Sequence, residues 1–275
     1  MNISVIIPIH EFNEEISTLL NNAIETVEKQ EKIKKLPEVV LVTPTSISEQ
    51  ITDYVKNYKG KVELKKVFND GSSDFQTQMN VAAKEIKTDF FSILEFDDEY
   101  STTHFHNVEK YIKKYKDDID FYLTLMIEVN DKNEAIKLTN EVVWSQQFVG
   151  ENGEMGYFNL SSIKQYTDFK ISGGVFNTKE FLNVGGFKSN IKLTFAYEFL
   201  LRALNNACNV FTIPKIGYKH WATREGSLFD GYLKNMPMDE RKFWFDVANK
   251  EYHFTNDRVI DTTKLKKIIV ESDNK

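Results

Sequence analysis

Short apolar segments and amphipathic segments alternate along the first half of the chain. The first apolar segment, Ile3 to Ile9, is nearly all aliphatic, and apolar residues then recur at helical spacing from Ile16 to Val27. Strands that are apolar on both faces and separated by helices are typical of an open sheet whose strands run parallel. The pattern therefore predicts an α/β protein with a Rossmann-like, mixed but mainly parallel sheet flanked by helices. The other strands predicted in this half are Val39–Val42, Val62–Val67, Phe90–Leu94 and Phe121–Val129, and the other helices lie at 47–55, 74–86 and 104–115.

The second half has a less regular pattern. The segment Asp131–Asn133 predicts a hairpin turn, and the short apolar segment Ile171–Phe176, which contains a glycine pair, predicts a strand. Thr178 begins a short helix that Gly185 and Gly186 end, since glycine accepts the left-handed backbone of a helix C-terminus. We expect one domain over residues 1–227 and a C-terminal helical extension over residues 228–275. The remaining predicted elements are a loop at 150–156, a helix at 195–206, strands at 209–213 and 216–221, and a helix at 238–252.

Composition excludes several classes of protein. A net charge of -6 argues against a general nucleic-acid-binding surface, which is usually basic. The single cysteine, Cys208, rules out an internal disulfide framework. No apolar run reaches the length of a membrane span, and the N-terminus lacks the basic region and cleavage site of a signal peptide. We therefore expect a soluble, cytoplasmic protein without a membrane span, and nucleic acid is an improbable partner.

Four carboxylates in five positions follow the predicted strand Phe90–Leu94. Glu95 and Asp97 point to one side of an extended backbone, and Asp98 points to the other. So much negative charge at a strand end is costly unless a cation or hydrogen-bond donors are present. A hard divalent ion with oxygen ligands is suited to it, and in open α/β sheets ligands bind beyond the carboxyl ends of the strands. The segment thus predicts a site for a hard divalent ion, with a solvated acidic turn as the alternative.

Four further segments occur in a characteristic order. They are Ser4–Pro8, then Asn69–Ser73 with the following helix and Glu95–Asp98, then Ile171–Phe176 with Val184–Phe187, and finally Tyr197–Arg202. In order and spacing these segments resemble the inverting family 2 glycosyltransferases, which have the GT-A fold, and Glu95–Asp98 resembles their DxD motif. The resemblance spans roughly residues 3 to 225. It implies transfer of a sugar from a nucleoside-diphosphate sugar to a hydroxyl acceptor, such as a glycan, with residues 1–100 as the nucleotide-binding half and 101–227 as the acceptor half.

The resemblance also implies roles for individual residues. It makes Glu198 the catalytic base that deprotonates the acceptor hydroxyl. It makes Asp97, Asp98 and His220 the ligands of the divalent metal, Mn²⁺ or Mg²⁺, that bridges the donor diphosphate. It places Gly173, Gly174 and Trp221 against the acceptor. The residues implied in binding the nucleotide-sugar donor are Pro8, His10, Glu11, Asn69, Asn80, Glu95, Phe96, Arg224 and Ser227.

Two positions depart from the family pattern and keep alternatives open. The turn Val42–Ser46 has no acid to contact the nucleotide base, and Phe195-Ala196 stands where a Glu-Asp pair is expected. A catalytically degenerate module that binds nucleotide sugars or serves in assembly is therefore the alternative. A sugar nucleotidyltransferase fits less well, because Ile9–Asn13 has no glycine, and a dehydrogenase is disfavoured because no Gly-x-Gly-x-x-Gly follows the first strand. The motifs leave the base, the sugar, the acceptor and the oligomeric state open.

Overall fold

A computed structural model describes residues 2–115, 118–140, 156–158, 160, 163, 169–222 and 234–251. Arg224 and Ser227, two of the predicted donor contacts, lie outside the described residues. So do residues 150–155 of the predicted loop, and residues 228–233 and 252–275 of the predicted C-terminal extension.

Within these ranges the chain forms nine strands and seven α-helices. The strands are β1 (Ile3–Pro8), β2 (Glu38–Pro44), β3 (Leu64–Asn69), β4 (Phe90–Ile93), β5 (Glu99–Tyr100), β6 (Phe121–Val129), β7 (Ala135–Thr139), β8 (Val175–Asn177) and β9 (Val210–Trp221). The helices are α1 (Glu14–Glu28), α2 (Ser48–Asn57), α3 (Phe75–Glu85), α4 (His104–Tyr115), α5 (Thr178–Val184), α6 (Phe195–Asn205) and α7 (Met238–Glu251), and a 3-10 turn covers Thr45–Ile47.

The strands form one mixed sheet in the order β3-β2-β1-β4-β8-β6-β9-β5, with β7 paired to β6. The first four are parallel, β8 is antiparallel to both of its neighbours, and β6 and β9 are parallel to each other. It follows that β1 to β4, β6 and β9 run in one direction and end at one edge of the sheet. The prediction of a mixed, mainly parallel sheet is confirmed, and this shared edge is where an open α/β sheet binds ligands.

Helices cover both faces of the sheet. Because strand side chains alternate in direction, Val5 and Ile7 join the hydrophobic cluster beneath α1, while Ile6 joins the cluster beneath α3 and α6. Side-chain caps fix where helices begin: Asn13 Oδ1 accepts from Ile16 N at 2.9 Å for α1, and Asp74 Oδ1 accepts from Thr77 N at 2.8 Å for α3. Local sequence thus determines where these helices begin, and burial of apolar side chains against the sheet stabilises them.

The prediction and the structure differ most clearly in three places. The strand predicted over Ile171–Phe176 is wrong over its first half, because Gly173 has a φ of 72° and residues 171–174 form a tight turn closed by Gly174 N donating to Ile171 O at 2.9 Å. The two strands predicted at 209–213 and 216–221 are one strand, β9, whose register against β6 shifts near Leu125. The two-residue strand β5 was not predicted, because it is too short to show a period.

The C-terminal helix α7 packs against α6. Ala248 is fully buried, and Thr194 Oγ1, just before α6, donates to Trp244 O at 2.8 Å. No helix among the described residues is both long enough and apolar enough to cross a bilayer.

Candidate active site

Three strands bring acidic and imidazole side chains to the shared carboxyl edge of the sheet. Glu95, Asp97 and Asp98 follow β4, and Glu128 lies one residue before the end of β6. His220 lies near the end of β9, in register with Glu128 on the neighbouring strand. The fold therefore concentrates four carboxylates and one imidazole at this edge.

Asp98 and His220 form the centre of the cluster. Asp98 is 1% exposed, and its carboxylate is 2.9 Å from His220 Nδ1 and accepts from Trp221 N at 3.0 Å. Burial raises the pKa of Asp98. Burial alone would lower the pKa of His220, but the hydrogen bond to Asp98 and its charge outweigh that effect and raise the pKa to about 9. In the metal-free protein the imidazolium is thus held as a counter-ion to the buried acid.

Glu95 is the third member of the cluster. Ser172 Oγ donates to Glu95 Oε1 at 2.5 Å, and Glu95 N donates to the hydroxyl of Tyr218 at 3.0 Å. Burial and the neighbouring charge of Asp98 raise the pKa of Glu95 to about 7. Burial is the larger of these two causes, and a bound cation would offset it by favouring the ionised carboxylate.

The donor set fits a divalent cation. One ligand atom from each of Glu95, Asp98 and His220 lies within 4.8 Å of the others. Two carboxylate oxygens and one imidazole nitrogen are a set that Mn²⁺-like ions accept. The structure brings together two of the three predicted metal ligands, Asp98 and His220, and places Glu95, predicted as a donor contact, beside them. Asp97 lies next to this cluster and lines a cavity of about 350 Å³.

Trp221, predicted to contact the acceptor, lines the same cavity. Its Nε1 donates to Glu99 Oε1 at 3.2 Å. Lys219 Nζ lies 4.7 Å from the centroid of the indole and 2.8 Å from Glu99 Oε2. The tryptophan is therefore held in a fixed orientation, half-buried, at the edge of the acidic cluster.

Gly173 and Gly174, also predicted on the acceptor side, are buried within the turn that carries Ser172. A Cβ on Gly173 would lie 2.6 Å from the ring of Tyr218, and one on Gly174 would lie 2.7 Å from Ile171 O. The absence of side chains here lets the turn pack against Tyr218 and aim Ser172 at Glu95. Their contact with an acceptor stays a prediction.

The predicted donor contacts divide into two groups. Near the end of β1, Pro8 is buried and His10 and Glu11 are exposed, with the His10 ring 5.9 Å from that of Phe96. Asn69 and Asn80 form hydrogen bonds within the fold through their side-chain amides. Asn69 accepts from Gly71 N and donates to Ser72 O. Asn80 accepts from Phe187 N at 2.8 Å and donates to Phe187 O at 2.6 Å. These two asparagines hold loops, and a donor contact by either remains a prediction.

Glu198, predicted as the base, is fully buried on the first turn of α6. Both of its oxygens accept from Arg202, at 2.6 and 2.9 Å. A base has to reach the acceptor hydroxyl, so this ion pair would have to open for Glu198 to act. Its catalytic role stays a prediction, and the contacts give it a structural role as well.

Sequence reasoning missed three residues of the site: Ser172, Tyr218 and Glu128. Glu128 had a visible signal, because it is the one charged residue in the otherwise apolar or uncharged strand Phe121–Val129. Its Oε1 is buried and has no hydrogen-bond partner among the described residues. Ser172 and Tyr218 carried no signal, because each acts only through contacts with the distant Glu95.

Comparisons with known proteins were made for the whole chain. No family model matches the sequence, and no curated protein matches it either. Solved structures do match: residues 1–349 of S. aureus TarS in complex with UDP-GlcNAc superpose with a TM-score of 0.65 at 19% identity, covering 96% of this chain and 69% of that one. TarS is a family 2 glycosyltransferase. This chain has the GT-A fold.

Two further structures agree with this assignment. Residues 1–349 of S. aureus TarS in complex with UDP match with a TM-score of 0.57 at 17% identity, covering 93% of this chain and 81% of that one. A structure of S. aureus TarS matches with a TM-score of 0.56 at 16% identity, covering 95% of this chain and 50% of that one. At these identities the likeness confirms the predicted GT-A fold alone, and it specifies no substrate for this chain.

Proposed function

We propose that this protein is a metal-dependent, inverting glycosyltransferase that moves a sugar from a UDP-sugar to a hydroxyl acceptor. The observation that carries the proposal is the cluster of Glu95, Asp98 and His220 at the carboxyl edge of a GT-A sheet. The UDP and UDP-GlcNAc in the similar structures support a uridine nucleotide as the donor.

Glu95, Asp98 and His220 would hold a divalent cation, with Asp97 beside them. When bound, a cation of this kind supplies Lewis-acid stabilisation to the negative charge that develops on a diphosphate leaving group. Ser172 and Trp221 N keep the carboxylates of Glu95 and Asp98 in place, as the partners of metal ligands commonly do. Trp221, which lines the neighbouring cavity, is the proposed stacking surface for an acceptor ring, and Glu198 is the proposed base once its pair with Arg202 opens.

A second candidate function is a degenerate module that binds a UDP-sugar without transferring it. The ion pair of Glu198 with Arg202 favours this alternative, because it occupies both oxygens of the proposed base. Both candidates predict nucleotide binding that depends on the cation, and only the first predicts turnover.

The test is calorimetric titration of UDP with Mn²⁺ or with a chelator, followed by an assay for release of sugar from UDP-GlcNAc. We expect UDP binding to require Mn²⁺ and to be lost in Asp98→Asn but retained in Asp53→Asn, an exposed acid on α2 that serves as the matched control. Thermal unfolding shows whether each variant is folded. A folded wild type that does not bind UDP with Mn²⁺ would overturn the proposal, and binding without turnover would favour the degenerate module.

A further inference from the structure

The backbone amide of Glu95 is bonded by a side chain from a distant strand. One residue earlier, Leu94 N still bonds the neighbouring strand by donating to Ile6 O at 3.1 Å. The next amide, Glu95 N, donates instead to the hydroxyl of Tyr218 on β9 at 3.0 Å. The hydroxyl thus takes the place of a strand carbonyl at the residue where the acidic segment begins.

Tyr218 is itself held in a fixed place. It is fully buried, and its ring lies so close to Gly173 that a Cβ there would be 2.6 Å away. Tyr100 is its register partner on β5, and the two rings meet edge to face at 5.6 Å. The hydroxyl of Tyr100 donates to Ile93 O at 3.1 Å. These two tyrosines therefore hold the end of β4 at two points, one on each side of the step into the acidic segment.

The rest of Glu95 is held by two further bonds. Ser172 Oγ donates to its Oε1 at 2.5 Å, and its carbonyl oxygen accepts from Asp98 N at 3.1 Å. Within the part of the chain that the structure describes, Ser172 is the one group that bonds the carboxylate, so Oε2 is available to a ligand. Glu95 is therefore fixed at its backbone and at one oxygen, and it offers the other oxygen to the cluster with Asp98 and His220.

We propose that Tyr218 is a positioning residue of the cation site, which places Glu95 by accepting a hydrogen bond from its backbone amide. This inference rests on the cation site of the proposed function and adds a residue that controls its affinity. A long side chain such as glutamate loses much rotamer freedom when a ligand orders it, and bonds formed beforehand reduce that loss. Partners that orient metal ligands commonly change metal affinity by tenfold or more when they are removed.

The experiment titrates Mn²⁺ into the protein by calorimetry, with and without UDP. Tyr218→Phe keeps the ring against Gly173 and Tyr100 and removes only the hydroxyl, and it should weaken Mn²⁺ binding by about tenfold. The same change made in Glu95→Ala should have little further effect, because Tyr218 acts through Glu95. Tyr54→Phe is the matched control, since its hydroxyl donates to Asn21 Oδ1 at 2.6 Å away from the cluster, and it should leave the affinity unchanged.

A second measurement needs no variant. In the metal-free wild type the amide hydrogen of Glu95, followed by NMR, should exchange slowly with solvent, because the bond to the buried hydroxyl protects it. If this amide exchanges as fast as those of exposed loops, the bond to Tyr218 does not hold Glu95 and the inference is overturned, whether or not Tyr218→Phe folds.

The outcomes separate this inference from the proposed function. A loss of Mn²⁺ affinity that appears in Tyr218→Phe and disappears in the Glu95→Ala background supports the inference. If the wild type binds Mn²⁺ and the folded Tyr218→Phe variant binds it equally well, the inference is overturned while the proposed function stands. The same holds if Tyr218→Phe weakens binding equally with and without the Glu95 side chain. If the wild type binds no Mn²⁺, with or without UDP, both fail together.

Discussion

Glu198 and Arg202 form a buried, two-bond ion pair on successive turns of α6. Their side chains are 0% and 2% exposed, and Arg202 also donates to the carbonyl oxygens of Val184 and Gly186. The guanidinium therefore joins α6 to the turn that follows α5, and Glu198 is its only carboxylate partner among the residues described. Glu198 can therefore serve as the counter-ion of Arg202 in the fold, as the base in the reaction, or as both. Measurements of stability and of sugar transfer distinguish these roles.

Glu198→Gln should destabilise the protein by about 3 kcal/mol, because it leaves the charge of Arg202 buried without a counter-ion. The free energy of unfolding, measured by urea denaturation, checks this. Glu49→Gln, an exposed acid on the first turn of α2, should change it little. If Glu198→Gln keeps the wild-type stability and loses only sugar transfer, the structural account is wrong and the role as catalytic base gains support.

Gly173 and Gly185 provide a matched pair for testing why glycine is needed. Both have a positive φ, 72° and 94°, which costs about 1 kcal/mol or more for another residue. A Cβ on Gly185 would be 3.7 Å from Arg202 Nη1, whereas a Cβ on Gly173 would be 2.6 Å from the ring of Tyr218. Gly173→Ala should therefore reduce the free energy of unfolding clearly more than Gly185→Ala. If the two variants lose equal amounts of unfolding free energy, the ring of Tyr218 can move to make room for the added Cβ at Gly173.

The sequence was most informative where one local pattern decided the outcome. The helix His104–Tyr115 and the strand Phe121–Val129 have the predicted bounds, because burial of one face in the helix and of both faces in the strand produces a clear period. The cap of α3 at Asp74 is likewise a local feature, because a capping side chain acts on a backbone group three residues away.

What the sequence could not predict depends on contacts between distant residues. Asp98 and His220 are 122 positions apart, and their hydrogen bond follows from where β9 lies in the sheet. The antiparallel strand β8 has no local mark of its direction, and the turn at Gly173 lies in the short, largely apolar segment Ile171–Phe176, whose composition predicts a strand over its whole length. Glu128 became a site residue only through its register with His220, which depends on the pairing of β6 with β9.

His104 should make the stability of the protein fall in mild acid. Its imidazole is fully buried and stacks on Tyr100 at a ring distance of 4.3 Å, and burial lowers its pKa from 6.5 to about 3. The unfolded chain binds a proton below about pH 6.5 and the folded protein does not, so stability is lost as the pH falls from about 6.5 toward 3. The loss from this group alone is about 2 kcal/mol at pH 5.

The measurement compares urea denaturation at pH 7 and pH 5 in wild type and His104→Phe, which keeps a ring against Tyr100. The drop in stability between the two pH values should be smaller in the variant by about 2 kcal/mol. His106→Phe, a more exposed position on the same helix, should keep the wild-type drop. An unchanged drop in His104→Phe would mean that this imidazole takes up a proton while folded.

Glu128 should affect the metal-free and the metal-loaded protein in opposite directions. Its Oε1 is buried with no hydrogen-bond donor among the described residues, and it contributes negative charge beside His220. An unsatisfied buried acceptor costs about 1 kcal/mol or more, and the attraction of Glu128 to the partly exposed His220 imidazolium offsets only part of that cost. Glu128→Gln, which can turn its amide nitrogen toward the buried position, should therefore stabilise the metal-free protein slightly. The same change removes negative charge near the proposed cation site and should weaken Mn²⁺ binding by about tenfold.

Both effects can be read without an activity assay. Urea denaturation in chelator gives the stability of the metal-free protein, and calorimetric titration with Mn²⁺ gives the affinity. Glu85→Gln, an exposed acid on α3, should change neither quantity by much. If Glu128→Gln lowers the stability of the metal-free protein and leaves its affinity for Mn²⁺ unchanged, Glu128 is an ordinary strand residue. A carboxylate that serves the cation site should instead lower the stability of the metal-free protein and strengthen Mn²⁺ binding.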